Sequence, residues 1–311
     1  VEHALRRAVS DPVTNTASID FTVGSRRVLS VGRDLASWSF ALEDVLAGES
    51  APLSPPKPGR DGLRVLSAPV QAIPAITACF PHHLNGGRQD YRRHYIAMEG
   101  LAYEDYLARF SGKTRSTLRR KARKLGDYEV SEHRSPAEIE RFLDAALPLS
   151  AKTYQARLLD AGLPEDAASR EAMLQAAEDN RMRCFLLSVD GAAIAYLSLP
   201  VLGRTLVYEH LGYAPEWARM SPGTVLQLEA LERLFAEQRY AYFDFTEGEG
   251  AHKAMFGTDH ADCASFLLLD PTLANRALLG ARAGFDGAVS GAKALADRSG
   301  ALAKVRGLLR A

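Results

Sequence analysis

Short runs of alternating apolar and polar residues, and longer runs with apolar positions three and four apart, divide the chain into strands and helices. Residues 19–23 and 27–31 read as two strands joined by Gly24-Ser25, followed by an amphipathic helix through Trp38, Leu42 and Val45. Pro52, Pro55, Pro56, Pro58 and Gly59 make 50–62 a loop, because proline fixes its own φ and brings no N–H. Strands are expected at 63–67 and 93–98. A helical region begins at 103–110 and restarts after Ser111-Gly112.

From residue 127 the order is clearer. It predicts a strand at 128–133, helices at 136–159 and 165–180, and a strand at 184–189. Asp190-Gly191 is a strong hairpin signal, leading into strands at 192–200 and 205–211 with a turn at Gly203. Pro222 and Gly223 open a helix whose apolar positions Val225, Leu228, Leu231 and Leu234 keep helical spacing. A strand at 242–245, a short helix at 251–256 and a strand at 265–269 follow. In 272–311, Leu295, Leu302, Val305 and Leu309 recur at helical spacing, against six glycines that weaken a helix. No repeat of 20 to 50 residues is present.

Composition narrows the class. The 311 residues are 47% hydrophobic and 24% charged, which fits a folded soluble protein of one large domain or two ordinary ones and excludes a disordered or collagen-like chain. Thirty-eight basic residues balance thirty-eight acidic ones, so there is no overall field to draw nucleic acid, and no nucleic-acid partner is expected. Cys79, Cys184 and Cys263 are odd in number and far apart, and read as small core residues in a reducing compartment. No apolar run approaches the ~20 residues of a membrane-spanning helix, and residues 1–17 lack the apolar core of a signal peptide. A cytoplasmic location is expected. Residues 272–311 carry seven basic residues against Asp286 and Asp297, and read either as an ordinary packed helix pair or frayed tail, or as a basic amphipathic tail suited to peripheral contact with an anionic membrane at its inner face.

Candidate chemistry is concentrated in three stretches. Residues 113–124, KTRSTLRRKARK, hold seven basic residues and no acid on a helix with a Ser or Thr cap, which points to a nearby anion. Gly112-Lys113-Thr114 is not a Walker loop, since Leu107 stands where its first glycine is required. The helix start at Arg219, Ser221, Gly223 and Thr224 offers free N–H groups and the positive end of the helix dipole to a pyrophosphate. Its partner is DFTEGEGAHKAMFGT, a strand ending at Asp244, a glycine-rich turn and then His252-Lys253. The dinucleotide and serine-hydrolase motifs are missing. His82-His83 and His252 with His260 and Cys263 lack a ligand spacing, so no metal is expected.

Taken together, FSGKTRSTLRRKARKL, YAPEWARMSPGTVLQLE and the DF-x-x-G-x-x-x-x-K-x-x-F-G segment resemble the CelD-like branch of the GNAT N-acyltransferase superfamily, related to the Fem-type aminoacyltransferases. The resemblance spans residues 101–270. It implies an α+β GNAT fold, a mixed and mostly antiparallel sheet flanked by helices, preceded by a partial second GNAT-like unit. The division implied is an N-terminal unit at 18–125 containing the basic helix, an acyltransferase domain at 126–270 and the tail at 271–311. A thioester donor would lie between splayed strands at 205–211 and 242–245, its pyrophosphate at the helix near Ser221. The family's pyrophosphate loop is matched here at Arg219 and Gly223 alone, which leaves acyl-CoA and an acyl carrier protein both open as donor. His252 stands where family members often have tyrosine.

Amide formation needs a neutral amine, and a primary amine of pKa ~10 is almost wholly protonated at neutral pH, so a general base is required. Glu209 and His210 end the strand beside the inferred thioester, and His210 is preferred because imidazole titrates near neutrality. Lys253 would stabilise the oxyanion, and His252 would protonate the leaving thiolate. Asp244 would orient either residue or close the turn. Lys152, Tyr154 and Arg119 are candidate substrate contacts. The resemblance admits amines on envelope sugars, on peptidoglycan precursors and on long-chain lipid bases. The basic tail favours a long-chain lipid base, as in ceramide formation, over acetylation of an amino sugar. A scaffold that has lost catalysis and holds anionic polymer on residues 113–124 is the reading from a different class.

Overall fold

The computed structural model describes residues 15–23, 26–50, 53–153, 162–248 and 250–298. Its first elements are β1 (Asn15–Val23), β2 (Arg26–Ser39), α1 (Leu42–Ala47), β3 (Gly62–Pro69), α2 (Ile73–Ala78) and β4 (Leu84–Ala97). Next come α3 (Tyr103–Ala108), α4 (Gly112–Leu125), β5 (Glu129–His133), α5 (Pro136–Ser150) and α6 (Ala167–Glu178). Strands β6 (Met182–Val189), β7 (Ala192–Leu202), β8 (Thr205–Val207) and β9 (His210–Tyr213) precede α7 (Pro222–Ala236). The last are β10 (Tyr242–Asp244), α8 (Ala251–Phe256), β11 (Asp259–Leu269) and α9 (Leu273–Arg298). Two compact units divide these residues, one holding Ala41–Leu46 and Tyr91–Cys263, the other 15–40, 47–90 and 264–298.

In the first unit β7 is the organising strand. It pairs antiparallel with β6 on one side and with β8 and then β9 on the other, while β6 pairs with β5. β10 joins β8 in parallel and β4 antiparallel. Alternation along β6 sends Phe185 and Leu187 to a core shared with Leu118 of α4 and Val225, Leu226 and Leu231 of α7. Cys184 and Leu186 face the other way, against Ile139 and Phe142 of α5 and Met173 of α6. This is the expected α+β arrangement, a mixed sheet with helices on both faces.

The strand expected over 205–211 is broken. Val201 pairs with Leu206 and Ser198 with His210, so three steps along β7 are matched by four on its partner, which makes a bulge. The Tyr208 N–H bonds to the Asp244 carbonyl at 2.8 Å, the Glu209 N–H turns to Ser198 at 3.4 Å, and the Phe245 N–H goes to His94 at 3.1 Å. Beyond this point β9 follows β7 while the chain leaving β10 follows β4. The two strands part.

A second device fixes β9. A Cβ on Gly212 would stand 2.4 Å from the Tyr196 ring, which lies directly over it. The Tyr196 hydroxyl donates to Ser150 Oγ at 3.0 Å, and that oxygen also accepts the Leu163 N–H at 2.8 Å. The end of α5 and the chain at Leu163 are thereby latched to the strand. α5 stops at Ser150, short of the expected helix to 159, whose last residues lie outside those described.

In the second unit β1 and β2 form an antiparallel ribbon and β2 pairs in parallel with β3. Trp38 belongs to β2, not to a helix. The stretch Leu35, Ala36 and Trp38 is buried beside β3, and a strand covered on both faces loses its alternation and mimics a helical face. The helix starts only at Leu42. α9 is continuous through Gly280, Gly284, Gly287 and Gly291, each facing open space, because Leu278, Leu279 and Phe285 pack against Ile19, Phe21, Leu267 and Leu269. The rest of the tail, 299–311, and the Gly24-Ser25 turn lie outside the described residues. Cys184 and Cys263 are buried as expected, whereas Cys79 is exposed, at the end of the short helix α2 where only one face meets the core.

Gly212→Ala is expected to lower stability by about 1–3 kcal/mol, the usual range for overpacking a filled site. The shift of the urea midpoint measures it. An unshifted midpoint would mean that Tyr196 swings away at no cost.

Candidate active site

Where β9 and β10 separate, the residues on each side derive from different supports. Glu209 and His210 are half-buried on the β7 side, His210 in register with Ser198. Asp244, His252 and Lys253 are on the β10 side, held by β4 and α8.

Asp244 is fully buried and paired with Arg93 of β4, whose Nε donates to Oδ1 at 3.0 Å and Nη2 to Oδ2 at 2.5 Å. Oδ1 also accepts the Thr246 N–H at 2.9 Å, at a residue in the left-handed region with φ 60°. Asp244 therefore closes the turn after β10, one of the two roles the sequence left open. Burial opposes the charge on Arg93, but the carboxylate outweighs it and raises the guanidinium pKa. Arg93 escaped the sequence reading, although an aspartate between Phe243 and Phe245 on a strand requires a buried cation.

Lys253 donates to the Glu247 carbonyl. Burial lowers its pKa, with Asp244 and Glu247 pulling the other way. The His252 ring lies 4.7 Å from Phe256 and 6.4 Å from both Tyr208 and Phe245, with Nε2 2.7 Å from Gln227 Oε1. Burial first, then Lys121 and Lys253, push its pKa below the ordinary 6.5, so the imidazole rests neutral.

The helix start and the basic helix meet. Ser221 stands in the left-handed region (φ 59°) ahead of α7, which has no side-chain cap and no acid in its first turn. Lys121 of α4 donates to Thr224 Oγ1 at 3.3 Å, and Lys124 donates to the Arg219 carbonyl at 3.2 Å. Two lysines thus bracket an uncapped helix N-terminus, an arrangement suited to phosphate oxygens. Burial lowers the Lys121 pKa. Gly223 is buried, and a Cβ there would stand 2.7 Å from Leu211 Cδ2, so its smallness also serves the packing of α7 on β9. Arg219 is exposed at the end of the turn.

Arg119 lies apart from the lysines' contact. With Arg115, Leu118, Val225 and Leu228 it lines a cavity of about 410 Å³ between α3, α4 and α7. Lys152 is exposed just after α5, and Tyr154 lies outside the described residues. Among the described residues no three His, Cys, Asp or Glu side chains come together as a metal site, and no helix is long and apolar enough to cross a membrane.

Residues 112–254 match the family described as "Acetyltransferase (GNAT) domain". This stretch is a GNAT acyltransferase domain. It begins with the basic helix α4, runs through the bulge and the start of α7, and ends with His252 and Lys253 of α8, so the three sequence stretches fall within or at the edge of one GNAT domain. Solved structures with a similar course include L-PGS from Bacillus licheniformis, at 13% identity and a TM-score of 0.45 over 71% of this chain and 72% of that one. FemX matches at 13% and 0.48 over 67% and 72%. A GCN5-related N-acetyltransferase from Kribbella flavida matches at 14% and 0.38 over 68% and 70%. At these values no substrate follows from the likeness. No curated protein matches the chain.

Two predictions follow from the charges of the GNAT domain. Asp244→Asn should cost about 3–5 kcal/mol, because it leaves a buried guanidinium uncompensated. The double replacement Arg93→Met with Asp244→Leu should lose far less in urea denaturation than the sum of the Arg93→Met and Asp244→Leu single losses, and a double loss equal to that sum would show that the pair is not coupled. His133 and His252 both have pKa values lowered chiefly by burial. The folded state thus binds fewer protons than the unfolded one, and their contribution, present above the unfolded value of 6.5, is lost as pH falls. Urea midpoints should drop between about pH 7 and 5, less steeply in a His133→Asn, His252→Gln variant.

Proposed function

We propose that the GNAT domain transfers an acyl group from the thioester of acyl-CoA to a primary amine. The observation that carries this reading is the junction of two features distant in sequence, the uncapped start of α7 and Lys121 and Lys124 of α4, on the helix that follows β9. A pyrophosphate seated there leaves the pantetheine free to enter the gap opened by the bulge, with the thioester between β9 and β10. His210, with Glu209 beside it, takes a proton from the incoming ammonium. Lys253 faces the developing oxyanion. Lys152 and Tyr154, beyond the latched end of α5, and Arg119 at the α3–α4–α7 cavity are proposed as substrate contacts. An acyl carrier protein is the alternative donor, since its phosphopantetheine also carries a phosphate.

For the acceptor, a long-chain lipid amine is put forward over an amino sugar. Its support is the net positive charge of residues 272–311. The apolar face of α9 supports it less, since Leu278 and Phe285 already pack within their own unit.

The test is a binding titration of non-hydrolysable acetyl-CoA and palmitoyl-CoA analogues. Wild type is expected to bind, and Lys121→Glu to weaken binding at least about tenfold, or ~1.4 kcal/mol. No binding of either analogue overturns the CoA reading. Acyl transfer to sphinganine but not glucosamine supports the lipid amine, and the reverse replaces it with the sugar.

A further inference from the structure

Gln227 has no role in the chemistry so far. It sits on α7, fully buried, between Leu226 and Leu228 in a helix otherwise devoted to the core. Its Oε1 lies 2.7 Å from His252 Nε2, and its own Nε2 has no partner among the described residues. A buried donor left unpaired costs on the order of 1–3 kcal/mol, a penalty that leucine or methionine at the same position would avoid. The glutamine stands here despite that penalty, and the imidazole is what it touches.

The ring it touches is closely held. Phe256, Phe245 and Tyr208 surround it, and Tyr208 supplies the last hydrogen bond before β9 and β10 part. The titratable groups facing the ring are Lys121 from α4, Lys253 from α8 and the Tyr208 phenol, whose pKa burial raises. Asp244 and Glu247 act on Lys253. Two flanking ammonium groups and burial keep the imidazole neutral, so one nitrogen carries hydrogen and the other a lone pair. With Nε2–H donating to Gln227 Oε1, the lone pair is on Nδ1.

We propose that Gln227 is a positioning residue that commits His252 to the Nε2–H tautomer, making Nδ1 the proton carrier between amine and leaving thiolate. This rests on the donor reading above. The amine nitrogen, having lost one proton to His210, adds to the thioester carbon, and the carbonyl π pair moves to oxygen opposite Lys253. Nδ1 takes the second proton from the now cationic nitrogen. The carbonyl re-forms, the C–S bond breaks, and Nδ1–H delivers its proton to sulfur. Counted from the ammonium, one C–N bond and one S–H bond are gained for one C–S and two N–H bonds lost, the first proton passing from His210 to water, and the His252 imidazole returns to neutral.

The test uses the full chain labelled with ¹⁵N-histidine, His252 being assigned by difference from His252→Gln. Wild type should show a protonated Nε2 and a bare Nδ1, and Gln227→Met a mixture of tautomers. Thiol release from acetyl-CoA, with ethanolamine as probe amine, should fall about 10- to 100-fold in kcat for Gln227→Met, at or below the lower end of general acid–base effects as suits a residue acting through another, while KM for acetyl-CoA changes less than about twofold. Gln227→Glu places a carboxylate on the ring and should move the acidic limb of the pH–rate profile to higher pH. An unchanged tautomer in Gln227→Met, or an unchanged kcat, overturns the proposal. Failure of wild type to bind acetyl-CoA overturns the donor reading and the proton relay with it, and the tautomer spectrum separates that failure from an error about Gln227.

Discussion

One extra residue between Leu206 and His210 organises the first unit. A regular strand there would continue beside β10, and the sheet would be closed where it now opens. With the bulge, the backbone donors of Tyr208, Glu209 and Phe245 are still satisfied, each by a different strand, so the gap is made without leaving these buried amides unpaired. Both sides of the gap are then braced. On one side Tyr196 covers Gly212 and ties β9 to the end of α5. On the other, Arg93 and Asp244 lock the turn after β10 to β4.

The electrostatics follow from that geometry. Arg93 neutralises Asp244, so the carboxylate is engaged before Lys253 can use it, and Lys253 with Lys121 leaves the region around His252 positive. A positive, partly dehydrated gap suits negative charge appearing on a phosphate or a tetrahedral oxygen. Together with burial, the larger cause, these charges lower the His252 pKa, while the ammonium groups around it are held by neutral oxygens, the Glu247 carbonyl and the Thr224 hydroxyl.

Much of this was legible in the chain. The Asp190-Gly191 hairpin, the helix opening at Pro222 and the short helix 251–256 stand where period and turn chemistry placed them, because each is set by local residues. What escaped depended on partners far away. Trp38 looked helical because its strand is buried on both faces, and the run 205–211 looked continuous because a bulge leaves no mark in apolar spacing. The helix expected in the tail is present as α9, and tertiary packing holds it despite the glycines that weaken it. At the site, the basic run and the helix start were each visible, but that Lys121 and Thr224 meet across about a hundred positions was not. Arg93 was inferable from a lone aspartate between two phenylalanines. Gln227 was hidden in a leucine-rich helix, where a single amide reads as an exposed position.

The packing of α9 bears on how the molecule is made. The first unit draws mainly on one unbroken stretch, Tyr91–Cys263, and its strands pair largely with near neighbours in sequence. The second joins 15–40 and 47–90 to 264–298, so its strands leave the ribosome long before the helix whose Leu278 and Phe285 complete their core. That helix has four outward glycines and little tendency to form alone. During synthesis β1 and β2, with Val28 and Leu29 exposed even in the finished fold, must wait as an uncovered ribbon while the intervening unit condenses. The vulnerable interval of this chain is set by the distance in sequence between Phe21 and Phe285, and a chaperone would find its substrate there.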